Sequence, residues 1–202
     1  MTKVILTDCD EVLFDWAGPF EEWVRETYPE FRDAKGCLQD FWHVEQWLGC
    51  EYSTSREMIR LFNGNPQYWK NFKALPGVVE NVFKLHSDGY QFVAITACAT
   101  DEETYMGRWH NLNQVFGFGV FDTLHCVGLG DSKRAHLARY YPAIWIEDKT
   151  RHAVDGAEVG HQSFLINYKH NAKDGQIIPG VTRVNDWNDI YAHIRARSPV
   201  LA

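Results

Sequence analysis

The chain has 202 residues, with 20 Lys+Arg against 27 Asp+Glu for a formal net charge of -7, and 45% of it is hydrophobic, enough for one globular domain carrying a sizeable insertion. This acidic balance gives no general attraction for a polyphosphate backbone, so sequence-independent binding of nucleic-acid polymers is not expected and any anionic ligand must be held locally. No apolar run approaches the roughly 20 residues of a spanning helix, and the first residues, Met1 to Leu6, lack the basic segment and long apolar core of a signal peptide. A soluble, cytoplasmic chain with no membrane partner is the expectation. The five cysteines (Cys9, Cys37, Cys50, Cys98, Cys126) are odd in number and form no Cys-x-x-Cys pair, which argues for reduced thiols rather than disulfides or structural zinc.

In chain order, Lys3 to Thr7 is a compact apolar strand ending in Asp8-Cys9-Asp10. From Phe14 to Leu75 no strand pattern appears, only helical ones: Phe20, Trp23, Val24 and Thr27, then Met58, Ile59, Leu61 and Phe62. Five of the eight Trp (Trp16, Trp23, Trp42, Trp47, Trp69) fall in this stretch, which reads as a helical lid over the carboxyl ends of the strands, with Trp23 in the lid's own core. A helix over Val78, Val79, Val82 and Phe83 leads through Asp88-Gly89 into a strand over Gln91 to Thr96. Thr100 to Glu103 has capping-box spacing before a helix whose apolar face is Tyr105, Trp109 and Leu112. A weaker strand covers Leu124 to Val127; firmer ones cover Ala143 to Ile146 and Gln162 to Ile166, with helices after Ser132, Thr150 and Asp186. Alternation of near-continuous apolar strands with helices predicts an α/β fold, a doubly wound parallel sheet with helices on both faces.

Four polar elements then fall at one end of that sheet: Asp8 and Asp10, Thr96, Lys133, and Glu147-Asp148. Converging carboxylates repel unless a cation lies among them, and hard oxygen ligands suit Mg²⁺ with a substrate phosphate. One carboxylate can attack phosphorus to give an aspartyl-phosphate, and a second can protonate the leaving oxygen and later activate water. Thr96 and Lys133 would hold the phosphate oxygens.

In this order the motifs Asp8-Cys9-Asp10-x-Val12, Thr96 after an apolar strand, Lys133 and Glu147-Asp148 resemble the four motifs of the haloacid dehalogenase superfamily, over nearly the whole chain. The resemblance implies a Rossmann-like core, residues 1–13 and 76–202, with a helical cap at 14–75. It makes Asp8 the nucleophile, Asp10 the general acid/base of the phosphatase branch, and Asp8, the backbone carbonyl of Asp10 and one of the last two acids the Mg²⁺ ligands, Asp148 being favoured over Glu147. Within the superfamily, Asp8 to Trp16, Leu75-Pro76-Gly77-Val78 and Val181 to Trp187 are similar to the 5'(3')-deoxyribonucleotidases. That likeness implies hydrolysis of nucleoside monophosphates, with Trp16 and the Phe41-Trp42 pair stacking the base and Thr96, Ala97 and Lys133 at the phosphate. Another small phosphomonoester, such as a sugar phosphate, and a silent phosphate-binding module are the competing readings; a homodimer is compatible with all of them. Glu11 stands where the family usually has Gly, and Cys98, near the site, is a candidate reactive thiol.

Overall fold

The computed structural model describes residues 3–41, 43–69, 72–175 and 177–197. Six strands, β1 (Lys3–Thr7), β2 (Tyr90–Ala97), β3 (Phe121–Val127), β4 (Ile144–Glu147), β5 (Gln162–Ile166) and β6 (Val181–Val184), form one sheet in the order β3-β2-β1-β4-β5-β6. Every pairing is parallel. The α/β expectation holds, and the chain turns to opposite sides of β1 to reach β2 and β4, which puts the switch point of the sheet at the end of β1.

Successive residues of a strand point to opposite faces, and here both faces are apolar. Ile5, Phe92, Ala94, Ile146 and Phe164 enter the larger core, while Leu6, Val93, Ile95 and Trp145 enter a smaller one with Leu137. The larger core lies against α6 (Val78–Ser87), α7 (Glu102–Phe116) and α10 (Trp187–Arg197), and the smaller against α8 (Arg134–Leu137) and α9 (Thr150–Glu158). β6 was not foreseen, since it has four residues at the sheet edge and only Val184 is buried.

Between β1 and α6 the chain makes α1 (Ala17–Thr27), α2 (Leu38–Phe41), α3 (Val44–Leu48), α4 (Tyr52–Asn63) and α5 (Pro66–Trp69). This segment leaves and rejoins the core at one point. Phe14 bridges antiparallel to Ala74, Asp15 N donates to Lys73 O (3.0 Å), and Leu75 N donates to Leu13 O (2.9 Å). Its aromatic surplus is mostly core: Trp23, Trp47 and Trp69 are buried, and Phe62 stacks on Tyr68 at 5.3 Å. Those rings pack in the same continuous core as the sheet, so the tryptophan excess is explained by packing for three of the five and is no sign of a ligand there.

Two local expectations are corrected. α7 is capped by Asp101, whose carboxylate accepts from Thr104 N (2.9 Å), not by Thr100. Its buried face is Thr104, Arg108, Asn111, Leu112 and Phe116, one residue round from Tyr105 and Trp109, and Tyr105 is exposed. The helix turns a polar stripe inward because Arg108 and Asn111 have partners there.

Candidate active site

Asp8 follows β1 directly, Thr96 lies one residue before the end of β2, Glu147 ends β4 and Asp148 follows it, while Lys133 caps α8. Parallel neighbours in register bring these chain ends side by side, and all five residues are buried. Lys133 Nζ lies 2.7 Å from Asp8 Oδ2 and 2.8 Å from Glu147 Oε2. The lysine expected at the phosphate is fully enclosed, between two carboxylates. Burial works against its charge, but Asp8 and Glu147 overcome that and hold its pKa above the ordinary value. The second Asp8 oxygen accepts from Cys9 N at 2.7 Å, which fixes the carboxylate's rotation.

Asp8, Glu147 and Asp148 bring ligand atoms within 4.8 Å of one another. Burial and mutual repulsion push Asp8 up to about 7, and burial raises Glu147 to about 7 and Asp148 to about 6. The two acids after Ile146 are not equivalent. Glu147 is engaged by Lys133 and, through its other oxygen, by Lys149 N (3.1 Å), whereas neither carboxylate oxygen of the buried Asp148 accepts a hydrogen bond. Two unsatisfied anionic oxygens in a dry site are costly unless a cation completes them. This donor set of hard carboxylate oxygens, with His170 Nε2 3.5 Å from Asp148 Oδ2, suits a hard divalent cation such as Mg²⁺ on Asp8 and Asp148. Thr96 Oγ1, also buried, has no hydrogen-bond partner, leaving a hydroxyl for a phosphate oxygen.

The loop from Asp8 to Phe14 is held from three sides. Cys9 O accepts from Leu13 N (2.8 Å) and Phe14 N (2.9 Å), Val12 O accepts from Trp187 Nε1 (2.8 Å), and Glu11 O accepts from Tyr168 OH (2.9 Å). Glu11 has φ 58, the left-handed region in which glycine is comfortable. Its side chain is buried and caps α1, accepting from Trp16 N (3.1 Å) and Ala17 N (2.8 Å), with Gln39 Nε2 at 2.9 Å on the other oxygen. The charge at Glu11 thus serves the insertion's first helix and does not obstruct the site.

Above the buried residues lies a cavity of ≈ 620 Å³ lined by Asp10, Glu11, Trp16 and Ala97 together with Leu38, His43, Arg56, Lys149 and His170. Of Asp8 and Asp10, it is Asp10 that lines the cavity, 21% exposed at the side chain. Trp16 stacks on Phe20 at 4.7 Å, and its Nε1 donates to Asn63 Oδ1 (2.9 Å), so its orientation is fixed from behind. Phe41 is 41% exposed and does not line the cavity, contrary to the stacking expectation, because α2 turns its end outward; Trp42 lies outside the described residues. Cys98 is buried, and its neighbour Cys126 and its burial push the thiol up.

Sequence reasoning missed Arg108. Its guanidinium, on α7 and 2% exposed, makes a two-pronged pair with Asp10: Nη1 to Oδ1 at 2.5 Å and Nη2 to Oδ2 at 2.9 Å. An arginine on the stripe that includes Leu112, one turn on, was the available signal, masked by the two aromatic residues flanking it in the helix.

No family model matches the chain. By sequence it is similar to an uncharacterized 32.4 kDa protein of Enterobacteria phage T4, 24% identical over 199 residues that cover 94% of this chain and 69% of that one. By structure it is similar to the D,D-heptose 1,7-bisphosphate phosphatase of B. bronchiseptica, solved with magnesium and phosphate, at TM-score 0.59 and 15% identity over 97% of this chain and 99% of that one. It is similar too to the L-2-haloacid dehalogenase of Xanthobacter autotrophicus, at TM-score 0.62 and 12% identity over 98% and 100% of the two chains. The chain thus shares the Rossmann-like fold of these two enzymes. Among the described residues no helix is long and apolar enough to cross a membrane.

Proposed function

We propose that the chain is a Mg²⁺-dependent phosphomonoesterase acting on nucleoside monophosphates through an aspartyl-phosphate on Asp8. The observation that carries this reading is the division of labour between two neighbouring acids. Asp8 is buried against Lys133 beside a metal-type acidic cluster, while Asp10, two residues on, faces the cavity. A halide leaves without a proton, so displacing it needs no second acid; an alkoxide leaving group does need one.

Asp8 attacks phosphorus, the bond from phosphorus to the ester oxygen breaks, and Asp10 gives that oxygen a proton. Asp10 then takes a proton from water, whose oxygen attacks phosphorus and breaks the bond to Asp8, releasing inorganic phosphate. Thr96 Oγ1 and Lys133 Nζ bind the phosphate oxygens as charge moves onto them. When bound by Asp8, Asp148 and the Asp10 carbonyl, Mg²⁺ supplies the positive charge that lets an anionic nucleophile approach an anionic phosphate. Trp16, an aromatic ring on the cavity wall, supports a base as the leaving group's far end.

A panel of nucleoside monophosphates, sugar phosphates, p-nitrophenyl phosphate and a 2-haloacid, each with Mg²⁺ and with EDTA, tests the reading. Mg²⁺-dependent release of phosphate, fastest from the nucleotides, is expected. A preference for sugar phosphates would overturn the nucleotide assignment alone, whereas halide release without phosphate release would overturn the phosphatase.

A further inference from the structure

Asp10 sits on a loop, where a carboxylate can turn about two bonds, yet its work requires one oxygen to be aimed at the leaving group. Both oxygens are taken by the Arg108 fork, at 2.5 and 2.9 Å. A bidentate pair fixes the carboxylate plane, which a single lysine ammonium would leave free to rotate. A carboxylate offers about four lone-pair sites, so the fork leaves roughly two for the leaving oxygen and water.

Arg108 is itself held from behind. Its guanidinium carbon lies 5.5 Å from the Trp69 ring and 5.4 Å from the Phe72 ring, and Asn111 Nδ2, on the same helix face, donates to Phe72 O (3.2 Å). Gly107 lets Trp69 lie directly on α7, for a Cβ there would meet the indole at 2.1 Å. Arg108 is 2% exposed while Asp10 is 21% exposed, so the arginine reaches the site only through Asp10. As a stabilising device such a pair is poor, because apolar residues of similar volume serve as well or better. What the pair adds is orientation.

We infer that Arg108 is the positioning residue for the general acid/base Asp10, with Trp69 and Phe72 at the end of the insertion setting the aim. This rests on the phosphomonoesterase reading.

The test is kcat/KM, which reports events up to departure of the leaving group, measured with Mg²⁺ on a nucleoside monophosphate and on p-nitrophenyl phosphate, whose leaving group hardly needs a proton. Arg108→Gln is expected to lower kcat/KM for the nucleotide by about 10²-fold, mostly through kcat, and for the aryl ester far less. In an Asp10→Asn background the same substitution should cost nothing further, since its partner's role is gone. Arg108→Lys, which keeps the buried charge but not the fork, should fall between, and it carries the test if circular dichroism shows the glutamine variant unfolded. Equal losses on both esters, or losses that multiply in the Asp10→Asn background, would overturn the inference. If Asp10→Asn loses nucleotide hydrolysis while both Arg108 variants keep it, the inference alone fails; if Asp10→Asn keeps it, the reading of Asp10 fails with it.

Discussion

Glu11 combines two demands that normally fall on different residues: a left-handed backbone at φ 58, and a carboxylate accepting three hydrogen bonds that start α1 and hold Gln39. A β-carbon in that conformation costs roughly 1–2 kcal/mol, and a lost N-terminal cap typically about 1 kcal/mol. Glu11→Ala keeps the strain and loses the cap, whereas Glu11→Gly loses the cap but relieves the strain. Urea unfolding should therefore rank both wild type and Glu11→Gly above Glu11→Ala, by about 1 kcal/mol for wild type and about 1–2 kcal/mol for the glycine variant; an alanine variant as stable as the glycine variant would contradict this. The sequence showed a charge where glycine is usual but could not show that the side chain folds back onto a helix start. Asp8, Thr96, Lys133 and Asp148 were legible because each follows or opens a recognisable element. Arg108 was not, since its role depends on a loop 98 residues away.

At the scale of elements, four of the six strands were plain because buried parallel strands are near-continuous apolar runs, and β3 was faint. β6 escaped as a short edge strand. The face of α7 was misread for a physical reason: burial there is shared between an ion pair and an amide, so hydrophobicity points one residue away from the true contact. Gly107 marks the true face. Gly107→Ala places a methyl carbon 2.1 and 2.2 Å from two Trp69 ring atoms, so the indole must move and carry its contact with Arg108 along. Overpacking of this kind costs about 1–3 kcal/mol, partly offset by alanine's better helix propensity of about 1 kcal/mol. A lower melting temperature is expected, with nucleotide hydrolysis falling more than p-nitrophenyl phosphate hydrolysis. An unchanged ratio between the two would show that the Trp69 contact does not reach the site.

The whole molecule's response to acid should carry the mark of His152. Its side chain is 1% exposed, its Nε2 accepts from Arg151 Nε (3.2 Å), and burial, then the charges of Lys133 and Arg151, press its pKa down from 6.5 to about 2. Below pH 6.5 the unfolded chain binds a proton that the folded one refuses, so this group's contribution to stability falls as pH falls. The stability gap between wild type and His152→Gln should shrink on going from pH 7 toward pH 5, by at most about 1.4 kcal/mol per pH unit below 6.5. Comparing the two proteins cancels the opposite trend from the raised carboxylates Asp8, Glu147 and Asp148. A gap that stays constant or widens on acidification would mean that His152 is protonated in the folded state.

The proposed hydrolysis requires the Asp8 carboxylate to accept the phosphoryl group. The most direct measurement is a single turnover of a nucleoside monophosphate with excess enzyme and Mg²⁺ in water enriched in heavy oxygen, followed by mass spectrometry of the peptide containing Asp8. If water attacks the phosphorus of an aspartyl-phosphate, the first phosphate released carries the heavy oxygen and the Asp8 peptide stays light. An acid quench during turnover traps the peptide with a phosphoryl group attached. Asp8→Asn should show neither adduct nor turnover, with its far-UV circular dichroism unchanged. An Asp8→Asn protein that still hydrolyses the substrate, or a trapped phosphoryl group on another residue, would contradict the account.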